Sequence, residues 1–270
     1  MTEYPLVFVA VLAKQKEKML PAWLKSLEQW DYPKDRVILY VRSNNNTDKS
    51  EAILKQWLSM NGKWYHLVVT DFSDIEEPVH KFDVHEWNPV RFKALGAIRE
   101  RSVELALQSQ AEFYWVIDVD NFVLPHTLRT LVGLNLPVVA PLLRYAVTPE
   151  EEQHKPYSNY HLLTNANGYY LDDARYYTVL NREITGLIKC DVVHCTYLLR
   201  RDVFKDVRYL DGSDDYEYVI FSRELRRQGI PQYLDNREVY GHLTLKENVD
   251  ACVYWMKVLS ESKAYSAIVA

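Results

Sequence analysis

Two aspartates one residue apart, Asp118 and Asp120, follow an apolar run in "YWVIDVDNFV" (Tyr114–Val123). Successive side chains on a strand point to opposite faces, so both carboxylates project the same way where that run ends. Two hard oxygen ligands side by side suit Mg2+ or Mn2+, which keep coordination positions open for phosphate oxygens. As a bare Asp-x-Asp the pattern equally describes two solvated acids opening a loop. The apolar strand ahead of it shifts the reading toward a metal or phosphate site, because open α/β sheets bind ligands at the carboxyl ends of their strands.

Other residues able to do chemistry flank this pair. Arg91 and Arg99 lie eight residues apart on one expected helix. Arginine near a diphosphate donates bidentate, charge-assisted hydrogen bonds, though a solvated helix face accounts for both positions as well. "YLDGSDDYEY" (Tyr209–Tyr218) carries Asp214 and Asp215. A carboxylate there can hydrogen-bond sugar hydroxyls or take the proton from an attacking hydroxyl; acids at a helix start also favour the helix dipole. His242 in "EVYGHLT" is placed to supply a late metal ligand, whereas His194, flanked by apolar residues, reads as a core histidine. The tyrosines of residues 157–177 suit either an acceptor platform or loop packing.

The elements that must position these residues follow from hydrophobic period. Leu6–Leu12 is a continuous apolar run, the pattern of a strand covered on both faces. Met19, Leu20, Trp23, Leu24, Leu27 and Trp30 recur at helical spacing until Pro33 stops the helix. Strands are expected at Arg36–Arg42 and Trp64–Thr70, with a helix at Glu51–Met60 between them and N-cap chemistry in "SNNNTDKS". This βαβαβ order predicts a Rossmann-like half with right-handed crossovers and a mostly parallel central sheet. Asp71–Asn88 reads as a long loop, followed by a helix at about Val90–Gln108. "PVVAPLL" (Pro137–Leu143) and the region near "PQYLD" are later strands, separated by irregular sequence and a helix ending near Gln228. No repeat or Gly/Ser-rich linker divides the chain, so one domain is expected. Residues 1–120 would form its first, Rossmann-like half, 121–245 its second half, and 246–270 a C-terminal tail.

With 270 residues and a net charge of −5, the chain has ordinary globular composition and no basic field for a nucleic acid. No apolar stretch approaches the roughly 20 residues needed to span a membrane. Acidic Glu3 precedes "PLVFVAVLA" (Pro5–Ala13), which favours a buried first strand over a signal-peptide core. The three cysteines cannot all pair internally, and reduced thiols in a cytoplasmic compartment are the simpler expectation.

Two enzyme classes place Asp-x-Asp after an apolar strand. In phosphatases of the haloacid-dehalogenase type it follows the first core strand, and a hydroxyl residue stands shortly after. Here three strands precede it and "NFV" (Asn121–Val123) offers no hydroxyl. In nucleotide-sugar glycosyltransferases it comes after a βαβαβ half, and the metal it binds neutralises the departing diphosphate.

The ordered motifs carry a family resemblance. "FVAVLAK" (Phe8–Lys14), "DYPKDRV" (Asp31–Val37), Trp87 with Arg91, Arg99 and "IDVDN" (Ile117–Asn121) come first. "VVAPLL" (Val138–Leu143), "GYY" (Gly168–Tyr170), "VHCTYLL" (Val193–Leu199), "DDYEYVIFS" (Asp214–Ser222) and "EVYGHL" (Glu238–Leu243) continue the series over about residues 6–243. In this order the chain resembles the glycosyltransferase domain of procollagen galactosyltransferases and of multifunctional lysyl hydroxylases.

That resemblance implies a GT-A-type fold, a UDP-hexose donor, Mn2+ (or Mg2+) and transfer of galactose or glucose to an acceptor hydroxyl. Carried over position by position, Asp118, Asp120 and His242 resemble the metal ligands, with Asp118 also at the nucleotide. Ala13 resembles the edge of the nucleotide site, and Asn44, Asn46 and Asp48 fall where the family contacts uridine. Trp87 and Arg91 resemble residues beside the diphosphate, and Asp214 and Asp215 an acidic pair at the acceptor face. Pro149–Leu163 has no clear counterpart, so a glycan, a lipid-linked glycan or a hydroxylysine-like protein side chain all remain as acceptors. A homodimer is compatible with this reading. A non-catalytic sugar-nucleotide- or glycan-binding module is the alternative from another class.

Overall fold

The computed structural model describes residues 4–76, 78–82, 86, 88–147 and 157–269. Trp87 and residues 148–156 lie outside that range, so the sequence reading of Trp87 as a diphosphate neighbour has no structural counterpart here.

The first half alternates strand and helix as its periodicity requires. β1 (Val7–Ala13), α1 (Leu20–Glu28), β2 (Val37–Ser43), α2 (Ser50–Asn61) and β3 (Leu67–Asp71) lead into α3 (Pro89–Gln108) and β4 (Phe113–Ile117). Helix α3 starts sharply because the Asn88 side chain accepts from the Arg91 amide at 3.2 Å, and Pro89, with φ preset, occupies the first turn.

Shorter elements follow: β5 (Asn121–Val123), α4 (Thr127–Leu134), β6 (Val138–Pro141), β7 (Leu143–Tyr145), β8 (Tyr160–His161) and α5 (Arg175–Leu180). Then come β9 (Leu187–Cys190), β10 (Val192–Val193), β11 (Thr196–Arg200), α6 (Glu217–Arg227), β12 (Gln232–Asp235), β13 (Gly241–Leu243) and α7 (Val249–Val269). The expected C-terminal tail is therefore mostly helix, and Ala251 and Cys252 pack into the core. No described helix is long and apolar enough to cross a membrane.

An eight-stranded sheet in the order β3-β2-β1-β4-β11-β6-β12-β9 forms the centre. Its first four strands are parallel, as the βαβαβ reading requires. Beyond them two strands run against the rest, so the sheet is mixed but mostly parallel, as expected. β11 runs antiparallel to both β4 and β6, β12 is parallel to β6, and β9 is antiparallel to β12. Alternate residues of β1 serve opposite layers. Val7, Val9 and Val11 join Trp23, Leu24 and Leu54 of α1 and α2, while Phe8 and Ala10 join Val103 and Ala106 of α3 and Phe221 of α6. Both faces are covered, which is why this strand reads as an unbroken apolar run.

A three-stranded sheet, β5-β13-β7, crosses the end of β4 and brings residues more than 100 positions apart into register. His242 pairs with Phe122 and Leu243 with Asn121, and the Thr244 amide donates to the Asp120 carbonyl at 3.1 Å. Gly241 permits this approach, because a Cβ there would run into the Phe122 carbonyl.

Candidate functional site

Strand β4 ends at Ile117, and the chain turns at once. The Asn121 amide closes the turn on the Asp118 carbonyl at 3.0 Å, and the Asp118 amide is held by the Cys195 carbonyl, also at 3.0 Å. Val119 points into the core, leaving the flanking carboxylates at the wall of a cavity of ≈ 660 Å³ beside the carboxyl ends of β1 and β4. Of the residues singled out in the sequence, Ala13, Asn44, Arg91, Asp118 and Asp120 line it; Asn46, Asp48, Asp214, Asp215 and His242 do not.

Asp118 is paired to Arg99, for which the sequence left a diphosphate contact and a solvated helix face both open. Arg99 Nη2 lies 2.8 Å from Asp118 Oδ1, and Arg99 Nε lies 3.7 Å from Glu217 Oε1, with the arginine side chain only 5% exposed. Phe92, Gly96, Arg99, Val103 and Ala106 are all buried at helical spacing on α3, so Arg99 occupies a core position of the helix stripe. Burial opposes its charge, but Asp118 above all holds its pKa well above the ordinary arginine value. Glu217, the first residue of α6, is buried too. Desolvation raises its pKa, with Asp118 adding to the rise and Arg99 opposing it.

Asp120 faces a different cation. Lys16 Nζ is 3.1 Å from Asp120 Oδ2 and 3.0 Å from Glu247 Oε1. Burial and the neighbouring Asp118 raise the Asp120 pKa, opposed by Lys16. Lys16 is raised despite burial because both carboxylates favour its charged form.

The same cavity also carries basic residues. Lys14, Arg91 and Lys246 line it, and no acceptor lies within hydrogen-bonding distance of the Lys14 amine among the described residues. The Lys14 pKa is lowered by burial and then by Arg91, and burial likewise lowers Arg91. Two partly desolvated cations that disfavour one another are arranged for an anion between them.

Asn46 and Asp48 act one step removed. Asn46 Oδ1 accepts from the Gln15 amide at 2.9 Å, Asp48 Oδ2 from the Glu17 amide at 3.0 Å, and Ser50 Oγ from the Lys16 amide at 2.6 Å. The polar loop after β2 thus fastens the loop after β1 that presents Lys14 and Lys16. Gln15 holds φ of +54° within it.

The structure places three of the singled-out residues away from the cavity lining. Asp214 is exposed and ion-paired with Lys93 at 2.5 Å. Asp215 binds Arg223 at 2.7 Å and accepts from Tyr169 at 2.6 Å, which satisfies it outside the cavity. Glu217 is the carboxylate that this segment turns into the cavity, and Tyr216 and Tyr218 line it on either side. His242, expected at the metal, instead stacks on Trp255 with ring centroids 5.9 Å apart, because its place on β13 turns it toward α7. Burial lowers its pKa to about 4. His194 is buried as expected, yet it also lines the cavity, and its Nε2 has no hydrogen-bond partner among the described residues.

Among the described residues no three His, Cys, Asp or Glu side chains form a ready metal cluster. The donors nonetheless fit a hard divalent ion. Mg2+-type sites use one or two carboxylates and complete their shell with water and substrate phosphate. The Lys16 ammonium on Asp120 shows this carboxylate already serving a cation.

The sequence matches the family described as glycosyltransferase family 25, N-terminal domain, over residues 4–253. The chain belongs to this family. Procollagen galactosyltransferase 2 of Homo sapiens is 30% identical over 93% of the chain and 41% of that protein. A human relative named inactive glycosyltransferase 25 family member 3 is 28% identical over 89% of the chain and 41% of its own length. The chain thus spans about two fifths of the curated relatives it matches. Among solved structures, GalNAc-T7 with UDP, GalNAc and Mn2+ superposes with a TM-score of 0.54 at 10% identity, covering 90% of this chain and 44% of that one. At that identity the likeness speaks to fold: the α/β architecture is that of GT-A glycosyltransferases. Family membership removes the phosphatase reading.

Proposed function

We propose that this family 25 domain transfers a hexose from a UDP-sugar to an acceptor hydroxyl with the help of a divalent metal. The observation that carries the reading is that one cavity is lined both by the carboxylates of Asp118 and Asp120 and by the cations Lys14 and Arg91. A nucleoside diphosphate bound through a metal needs both. Mn2+ or Mg2+ held by Asp118 and Asp120 would act as a Lewis acid on the departing diphosphate.

The chain's own residues supply the rest. Lys14 and Arg91 bind phosphate oxygens, and Ala13 and Asn44 border the nucleoside. Arg99 fixes Asp118 and keeps Glu217 close by. Glu217 replaces Asp214 and Asp215 as the carboxylate that orients a sugar hydroxyl or accepts the acceptor's proton, a role suited to its raised pKa. Tyr157, Tyr216 and Tyr218 offer ring faces to a hexose.

Galactose is the favoured donor sugar, given the galactosyltransferase named among the relatives. A thermal-shift screen of UDP-sugars with and without Mn2+ tests the reading, since ligand that binds only the folded chain raises its melting temperature. Selective, metal-dependent stabilisation by one UDP-hexose, with UDP release on adding a hydroxylysine-type acceptor, is expected. No stabilisation by any UDP-sugar would sink it. UDP-sugar binding without release across a broad acceptor panel would favour a non-catalytic module, a reading kept open by the relative named inactive.

A further inference from the structure

The Lys16 ammonium is engaged by two carboxylates at once. It is clasped by Asp120 from the turn after β4 and by Glu247 from the loop between β13 and α7, at 3.1 and 3.0 Å. The three side chains are 16%, 26% and 19% exposed, so solvent screens the contacts only in part. The Lys16 amide is anchored on Ser50 Oγ, and a four-carbon stem of rotatable bonds carries the ammonium beyond it. Lys16 lines the cavity as Lys14 does, but its ammonium is held on the two acids.

Charge balance explains the arrangement. Asp118, Asp120, Glu217 and Glu247 face Arg99 and Lys16, leaving this cluster short of positive charge. Lys14, Arg91 and Lys246 line the same cavity. A divalent ion entering with a diphosphate would satisfy both groups, provided that Lys16 gives up Asp120.

We propose that Lys16 is a built-in occupant of the metal seat, resting on the metal- and UDP-binding reading above. In the nucleotide-free chain its ammonium holds Asp120 against Glu247. When metal and diphosphate arrive together, it releases Asp120 and turns to a phosphate oxygen. The free chain therefore binds a divalent ion weakly, and nucleotide raises that affinity. By linkage the metal raises nucleotide affinity by the same factor.

Mn2+ binding is measured by the electron paramagnetic resonance of the free ion, with and without UDP, on wild type, Lys16→Met and the charge-retaining Lys16→Arg. Wild type and Lys16→Arg are expected to gain Mn2+ affinity with UDP by on the order of tenfold or more. Lys16→Met is expected to bind Mn2+ tighter than wild type without UDP, by a similar factor, and to gain little when UDP is added. Melting curves verify folding, and Lys16→Gln replaces Lys16→Met if the latter does not fold. Wild type that takes up both ligands, with Lys16→Met no tighter for Mn2+ and equally responsive to UDP, overturns this inference alone. Wild type that takes up neither overturns the proposed function along with it.

Discussion

Arg99 reaches from the core stripe of α3 to within 2.8 Å of Asp118 Oδ1, joining the first aspartate of the Asp-x-Asp turn to a guanidinium that water barely touches. The same arginine lies 3.7 Å from Glu217, so one buried cation sits between two carboxylates of the cavity wall. The three residues come from α3, the turn after β4 and the start of α6, and their geometry depends on one another.

Removing the cation should be costly. Arg99→Met keeps much of the volume but leaves Asp118 and Glu217 unpaired in a poorly solvated place. A broken buried pair costs about 3–5 kcal/mol, and that loss is expected in urea denaturation at neutral pH. A loss below about 1 kcal/mol would mean that the acids find other partners.

Glu217 makes stability depend on pH in a defined direction. Its folded pKa is raised from the ordinary 4.5, so the folded chain holds this proton more tightly than the unfolded chain. The contribution is complete below the unfolded value and disappears as pH rises through the folded one. Glu217→Gln should therefore gain stability relative to wild type as pH rises from the carboxylate range toward neutrality. The same variant should lose kcat by roughly 10²–10⁴ with KM little changed. A parallel pH–stability curve for the two proteins would refute the titration, and an unchanged kcat the role.

Asp120→Ala removes a carboxylate from the proposed metal seat. UDP release from the UDP-sugar is expected to fall by on the order of 10²–10³, as when an electrostatic stabiliser of a leaving group is deleted. UDP binding without metal should survive, because Lys14 and Arg91 line the cavity independently of Asp120. Full turnover in this variant would rule out metal assistance at Asp120.

His242 provides a contrast. Burial lowers its pKa from 6.5 to about 4, so the unfolded chain takes up a proton first as pH falls. Its contribution to stability is present above pH 6.5 and is lost between there and about 4. His242→Phe keeps the stack on Trp255 and should flatten this acid-side loss, leaving Mn2+ binding intact. Loss of Mn2+ binding would return His242 to the metal.

Gly241→Ala tests the register that joins β13 to β5. The added methyl meets the Phe122 backbone, which cannot turn aside as a side chain would. A loss of about 1–3 kcal/mol or more is expected, with weaker Mn2+ binding because Asp120 hangs from the same strand pair. Wild-type stability would show that the strands separate freely.

The legible parts of this protein are those that local pattern controls. Continuous apolar runs announced β1, β2 and β4, helical spacing announced α1 and α3, and the break after Ile117 marked where Asp118 and Asp120 emerge. The antiparallel insertion of β11 was not legible, since strand direction within a sheet depends on where intervening segments cross rather than on the strand's own residues. Arg99 was half legible: its place in the stripe Phe92, Gly96, Val103 and Ala106 signals burial, although a charged residue type argues for solvent.

The sequence by itself determined the α/β class, the family motifs and the Asp-x-Asp turn, because strand period, helix period and turn chemistry act over a few residues. Tertiary structure alone decided which charges meet. Glu217 rather than Asp214 or Asp215 enters the cavity because the helix start turns it inward while Lys93 and Arg223 hold the other two outside. Lys16 and Glu247, 231 positions apart, share a bridge only because β13 folds back beside the Asp120 turn. Pairing energies at that separation depend on distance and burial in the folded chain, and neither is written in the order of its residues.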